Sequence, residues 1–146
     1  MNFMTGKSLK FYNYLKSKNL DSIFDINSKD GYNMFTSRWK MESAGTNLNF
    51  FMGFDEERPF VEIILWFQKI SNSYKKDSIL RLMNELNKEM SMGKYYINNE
   101  NEITYQFSTV YDDLNSFNPE SLHMLLIAMF NGQEQNWAKF MRELYS

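Results

Sequence analysis

The sequence predicts an α+β domain: an antiparallel sheet with helices on one face, in the order α-β-β-β-α-β-β-α, followed by a short C-terminal helix. Three observations carry this. Residues 33–70 contain three runs of period-two alternation separated by short turns. Residues 73–90 repeat apolar side chains at helical spacing. A second hairpin-like pair then leads to Asn118-Pro119-Glu120, where Asn caps, Pro suits the first helical position and Glu favours the positive helix end.

In chain order, 6–19 reads as a helix. Leu9, Tyr12 and Leu15 recur on one side, Phe11 and Tyr14 widen it, and Lys7, Lys10, Lys16 and Lys18 cover the rest. Thr5 is placed to cap it by accepting a first-turn N–H. Residues 21–31 form a polar connection with room for a short strand around 23–26. In 33–41, Phe35, Ser37, Trp39 and Met41 alternate with Met34, Thr36, Arg38 and Lys40. In 48–54, Leu48, Phe50, Met52 and Phe54 alternate with Asn49, Phe51 and Gly53. In 60–70, Val61, Ile63, Leu65 and Phe67 share one face, and Phe60, Glu62, Ile64, Trp66 and Gln68 the other. Short turns between successive strands imply an antiparallel meander. The helix over 73–90 carries the stripe Ile79, Leu82, Met83, Leu86 and Met90, with Gly93 as a stop signal. Residues 94–97 and 103–111 read as a hairpin across 98–101. The next helix, 119–131, buries Leu122, Leu125, Leu126 and Met129; Gly132 interrupts it, and a last helix over 133–145 carries Trp137, Phe140, Met141 and Leu144.

The chain reads as one domain over residues 1–146, with no internal repeat and no Pro- or Gly-rich linker. Hydrophobic residues make up 43% and aromatic residues 17%, enough for a core without covalent staples. Sixteen basic against eighteen acidic residues leave a net charge of −2, which argues against nucleic acid or an anionic membrane as the partner. The absence of cysteine excludes disulfides, thiolate nucleophiles and Cys-ligated zinc. One histidine, His123, gives no His pair for a metal or a proton relay. Residues 1–10 lack a long apolar stretch, and the longest apolar runs, 63–67 and 124–130, fall far short of the ~20 residues a spanning helix needs. The expected location is the cytoplasm.

No catalytic constellation emerges. The segment 25–31 opens like a calcium loop, but Lys29 takes the fifth position, glycine comes one place late and Thr36 stands where a bidentate Glu belongs, so it reads as a solvated turn. The acidic turn Asp55-Glu56-Glu57 and the pair Asp112-Asp113 also read as solvated. His123 sits one place beyond the stripe residue Leu122 and reads as an exposed or satisfied helix residue. No Gly-x-Ser-x-Gly elbow and no Gly-rich phosphate loop is present, and Ser73-Tyr74-Lys75-Lys76 matches a Ser-x-x-Lys spacing by accident at a helix start. The expectation is a non-enzyme with no catalytic residue, no cofactor and no metal.

What remains is apolar material on the second sheet face. If Val61, Ile63, Leu65 and Phe67 face the helices, then Phe60, Ile64 and Trp66 face away, joined by Phe51 and Tyr96. Either a terminal helix covers them or they form a patch of several hundred Å², the usual mark of an interface. Burying ~500 Å² gains roughly 12 kcal/mol at ~25 cal/mol per Å². Association costs a comparable ~4–15 kcal/mol, so fit decides affinity.

The segment Ile79-Leu80-Arg81-Leu82-Met83-Asn84-Glu85-Leu86-Asn87, followed by Gly93-Lys94-Tyr95-Tyr96-Ile97, resembles the YbjN-like family, which shows a helix with two Asn spaced by three, a Gly-Lys-aromatic strand, a hairpin and a final helix. Phe117-Asn118-Pro119-Glu120-Ser121-Leu122 is similar to the start of that last helix. The resemblance implies the α+β fold of type III secretion chaperones, frequent dimerisation, and a non-enzymatic binding or regulatory role. Asn84 and Asn87 lie on one side of their helix, beside the buried stripe, and are expected to hydrogen-bond a neighbouring loop or strand end. The functional expectation is a protein-binding adaptor, chaperone-like or regulatory module that holds a protein or peptide partner, or its own twin as a homodimer. The alternative is an immunity or inhibitor protein that turns the acidic residues 55–57 towards a basic target; a third reading, a ligand-binding or catalytic domain, requires a deep pocket with convergent polar groups.

Overall fold

The computed structural model describes residues 4–90, 92–111 and 113–146. The elements are α1 (Gly6–Ser17), β1 (Asp25–Lys29), β2 (Tyr32–Met41), β3 (Thr46–Asp55), β4 (Phe60–Lys69), α2 (Lys76–Glu89), β5 (Lys94–Ile97), β6 (Glu102–Val110), α3 (Pro119–Asn131) and α4 (Gln133–Tyr145). The strands form one antiparallel sheet in the order β1-β2-β3-β4-β6-β5. The predicted α+β class and element order hold, with one strand added near the start.

That strand, β1, lies later than expected, because Asp30 (φ 52°) and Gly31 (φ 79°) supply the two left-handed positions of a tight hairpin. The segment that opens like a calcium loop is therefore a strand and its turn. Exposed Asp25, Asn27 and Lys29 alternate along β1 with half-buried Ile26 and Ser28, so its hydrophobic signal is weak.

The register lines up Phe35, Met52, Ile63 and Phe107 across β2, β3, β4 and β6, and all four are buried. This row defines the inner face. Helices close it with aromatic contacts: Phe11 of α1 meets Phe35 and Phe54 at 5.8 and 5.5 Å between ring centroids. Phe130 of α3 meets Phe50 at 4.9 Å, and Phe140 of α4 meets Tyr95 at 5.0 Å. Such edge-on and tilted pairs add to the burial term. α4 is a full 13-residue member of the helical layer, with Phe140 and Leu144 in the core. α2 buries Ile79, Met83 and Leu86 and runs beside the edge strand β5.

The expected cap of α1 is corrected. Thr5 makes no side-chain cap bond; Glu56, from the β3–β4 turn, accepts the N–H groups of Lys7 and Ser8 at 2.9 and 3.0 Å. Gly6, at φ +57°, leaves the space that the Glu56 carboxylate enters.

Candidate functional site

Period-two alternation sends every second residue of the sheet away from the helices. On β4 the inward residues Val61, Ile63, Leu65 and Phe67 are buried, whereas Phe60, Glu62, Ile64, Trp66 and Gln68 are half-buried on the outer face. The five residues expected at a partner surface all lie on this face. Phe51 and Ile64 are register partners, and the Phe51 and Trp66 rings sit 5.4 Å apart. Thr104 pairs with both Trp66 and Tyr96 and is fully buried between them, which brings Tyr96, 37% exposed, into the same group. Phe60 stands apart: Glu62 separates it from Ile64 along the strand, and its register partner is exposed Val110.

A polar ribbon crosses the same face, and the sequence gives little sign of it. The Tyr32 hydroxyl donates to Glu62 Oε2 at 3.0 Å, Gln106 Nε2 donates to Glu62 Oε1, and the Tyr96 hydroxyl donates to Gln106 Oε1 at 2.9 Å. Tyr32 reaches β4 by lying over Gly53 of β3, where any Cβ would overlap its hydroxyl. A glycine inside an otherwise apolar strand is the one sequence signal that this backbone is closely approached. Burial first, and then the Glu62 charge, push the Tyr32 phenol well above its ordinary pKa; the same two causes raise Tyr96. Both phenols therefore stay protonated as donors. Among the described residues, no Lys or Arg stands within ion-pair distance of Glu62.

The other sequence candidates have structural roles. In the acidic turn, Glu56 caps α1, while Asp55 pairs with Arg58 at 3.4 Å and accepts the Glu57 N–H at 3.0 Å. Glu57 is exposed, so only part of this turn is solvated as expected. Asp113 accepts the Ser116 N–H at 2.8 Å; Asp112 lies outside the described residues. His123 is a satisfied helix residue, 2.8 Å from the Tyr14 hydroxyl through Nδ1. Burial lowers its pKa, opposed by nearby Glu120. Asn87 bridges the strand edge, accepting the Tyr95 N–H at 2.8 Å and donating to the Tyr95 carbonyl at 3.1 Å, while Asn84 is exposed.

An open groove of about 660 Å³ runs between α2 and β5, lined by Lys76, Leu80, Asn84, Tyr96 and Asn98 among others. No acid–base pair converges in it. No group of three or more His, Asp or Glu among the described residues is placed to hold a metal ion. No helix among them is long and apolar enough to cross a membrane.

A search of curated proteins finds no match. A family model does match: YbjN, whose description reads "Putative bacterial sensory transduction regulator", aligns with residues 19–121. The matched stretch holds the entire sheet, α2 and the first residues of α3, which is more than half of the chain. The chain belongs to the YbjN family.

Proposed function

We propose that this chain is a non-enzymatic regulatory module of the cytoplasm that acts by docking a protein on the outer face of its sheet. The observation that carries the reading is the group of half-buried Phe51, Ile64 and Trp66 with exposed Tyr96 on the face away from the helices, and Phe60 beyond Glu62. Large rings left at a sheet surface are costly in water and are the usual anchors of an interface. The family's description as a regulator is compatible with this role. A chaperone-like variant, in which the face holds an extended segment, uses the same residues.

The inhibitor alternative relied on the acidic turn. Glu56 and Asp55 are both engaged within the chain, which weakens it.

Trp66→Asp tests the reading. Wild type, Trp66→Asp and a helix-side control, Gln135→Asp, are immobilised, and retained proteins from the native host are quantified by mass spectrometry. Proteins held by wild type and control should fall at least ~10-fold on Trp66→Asp, the loss expected for one central aromatic anchor. The same set retained equally on all three would remove the outer face from consideration.

A further inference from the structure

On the outer face, Glu62 presents an unusual demand. Its two oxygens accept one bond each, from Tyr32 and Gln106, and a carboxylate has about four acceptor sites. Any surface that covers Ile64 and Trp66 also covers this charge. Burying a carboxylate with acceptor sites left open is unfavourable, so a covering surface that brings a cation to it is favoured over an apolar one.

The chain carries a matching cation on the same face. Arg38 of β2 is exposed and, among the described residues, makes neither an ion pair nor a hydrogen bond through its side chain. It cannot reach Glu62 of its own chain. Thr36, Phe51 and Ile64 form one row across β2, β3 and β4. Arg38 lies level with Asn49, two residues to one side of Phe51, and Glu62 lies level with Gly53, two residues to the other side. With strands ~4.8 Å apart and ~3.4 Å per residue, the two Cα atoms are roughly 16 Å apart, with Phe51 halfway between them.

That midpoint has a consequence for self-association. In an isologous pair, residue i of one copy meets residue j of the other and j meets i. A two-fold axis lying in the interface and passing over Phe51, bisecting the line from Arg38 to Glu62, sets each Arg38 opposite Glu62 of the second copy. It also sets Phe51 on Phe51, with Ile64 and Trp66 close to the axis. The apolar group is then buried centrally between two arginine–carboxylate pairs, the arrangement that satisfies Glu62.

We infer that the occupant of the outer face is a second copy of this chain, held face to face by reciprocal Arg38–Glu62 pairs around Phe51, Ile64 and Trp66. This rests on the outer face being a docking surface, as proposed above, and names what docks there.

The test is a charge exchange read by sedimentation equilibrium on the full chain. Wild type should be a dimer at ~10 μM. Arg38→Glu and Glu62→Arg should each raise the dimer dissociation constant at least ~10-fold, and the double exchange should restore it to within a few-fold of wild type. Glu62→Gln keeps an acceptor for Tyr32 and serves as the variant with least risk to folding; it should also weaken the dimer, and circular dichroism confirms that each variant is folded. A monomeric wild type, or a dimer indifferent to both single changes, overturns the inference. If that result comes with partner proteins lost from Trp66→Asp, the outer face binds a different protein and the broader reading stands. If Trp66→Asp loses nothing, both fall.

Discussion

The first turn of α1 presents backbone N–H groups that no carbonyl of the helix can satisfy, and those of Lys7 and Ser8 meet one carboxylate, Glu56, about fifty residues along the chain. The negative charge also opposes the positive end of the helix dipole. Lys7, itself buried, completes the join by donating from Nζ to the carbonyls of Asp55 and Arg58 at 3.2 and 3.1 Å. One turn residue thus ties α1 to the β3–β4 hairpin. Glu56→Ala should cost about 1–2 kcal/mol in urea unfolding, the range for a lost helix cap whose donors are partly shielded from water. Glu56→Gln, which keeps an acceptor oxygen but loses the charge, should cost less. Thr5→Ala should change little, since its side chain caps nothing. A larger loss from Thr5→Ala than from Glu56→Ala would reverse the assignment. The local sequence favours Thr5, because it stands where a cap belongs; Glu56 is legible only once the hairpin is placed.

At the scale of the element, the weak point of this sheet is its β5 edge. β5 spans only four residues, and the peptide groups of Tyr95 point away from β6 towards α2. The Asn87 carboxamide offers one acceptor and one donor there, which is what a neighbouring strand would offer. Edge strands left open invite pairing with other chains, so Asn87 both satisfies Tyr95 and blocks the edge. Asn87→Ala strands a donor and an acceptor of a buried residue and should cost about 2 kcal/mol, reduced from two full unsatisfied groups because water can enter the open groove. Amide exchange at Tyr95 should accelerate relative to Tyr105 on the neighbouring strand. Unchanged protection at Tyr95 would mean that water already serves as well as Asn87. This role was legible in advance, since the Asn spacing on α2 and the following strand are adjacent in sequence. Strands β2 to β4 were legible for a related reason: each declares its own inner face by alternation. β1 was harder to place, because its polar residues hide the pattern and its turn resembles a failed ion loop.

For the molecule as a whole, the two sheet faces differ in how much of them sequence can reveal. The inner face follows from alternation plus amphipathic helices, and its aromatic contacts fall where those stripes predict. The apolar half of the outer face follows from the same alternation, which is why Phe51, Ile64, Trp66 and Tyr96 could be grouped. The Tyr32–Glu62–Gln106–Tyr96 ribbon could not, because it depends on register across four strands and on the space above Gly53. The helical layer carries a comparable long-range contact in Tyr14 and His123, which joins α1 to α3 with rings 5.6 Å apart and edge-on. The burial of His123 there predicts that the stability of the domain depends on pH. Burial lowers the His123 pKa below its ordinary 6.5, while Glu120 opposes the shift. Burial, followed by Glu120, raises that of Tyr14. The phenol therefore keeps its proton, and its hydroxyl shares one hydrogen bond with Nδ1 whose direction follows the imidazole tautomer. As pH falls through 6.5, the unfolded chain takes up a proton at this histidine before the folded chain does, so stability decreases until the folded pKa is passed. In His123→Gln an amide oxygen can still accept from Tyr14, but nothing titrates there. Between about pH 7.5 and pH 5.0 the thermal midpoint of wild type should drop further than that of His123→Gln, since the carboxylates contribute alike to both proteins. Equal drops would show that His123 takes up its proton as readily in the folded domain as in the open chain, and the α1–α3 contact would then have no part in the pH response.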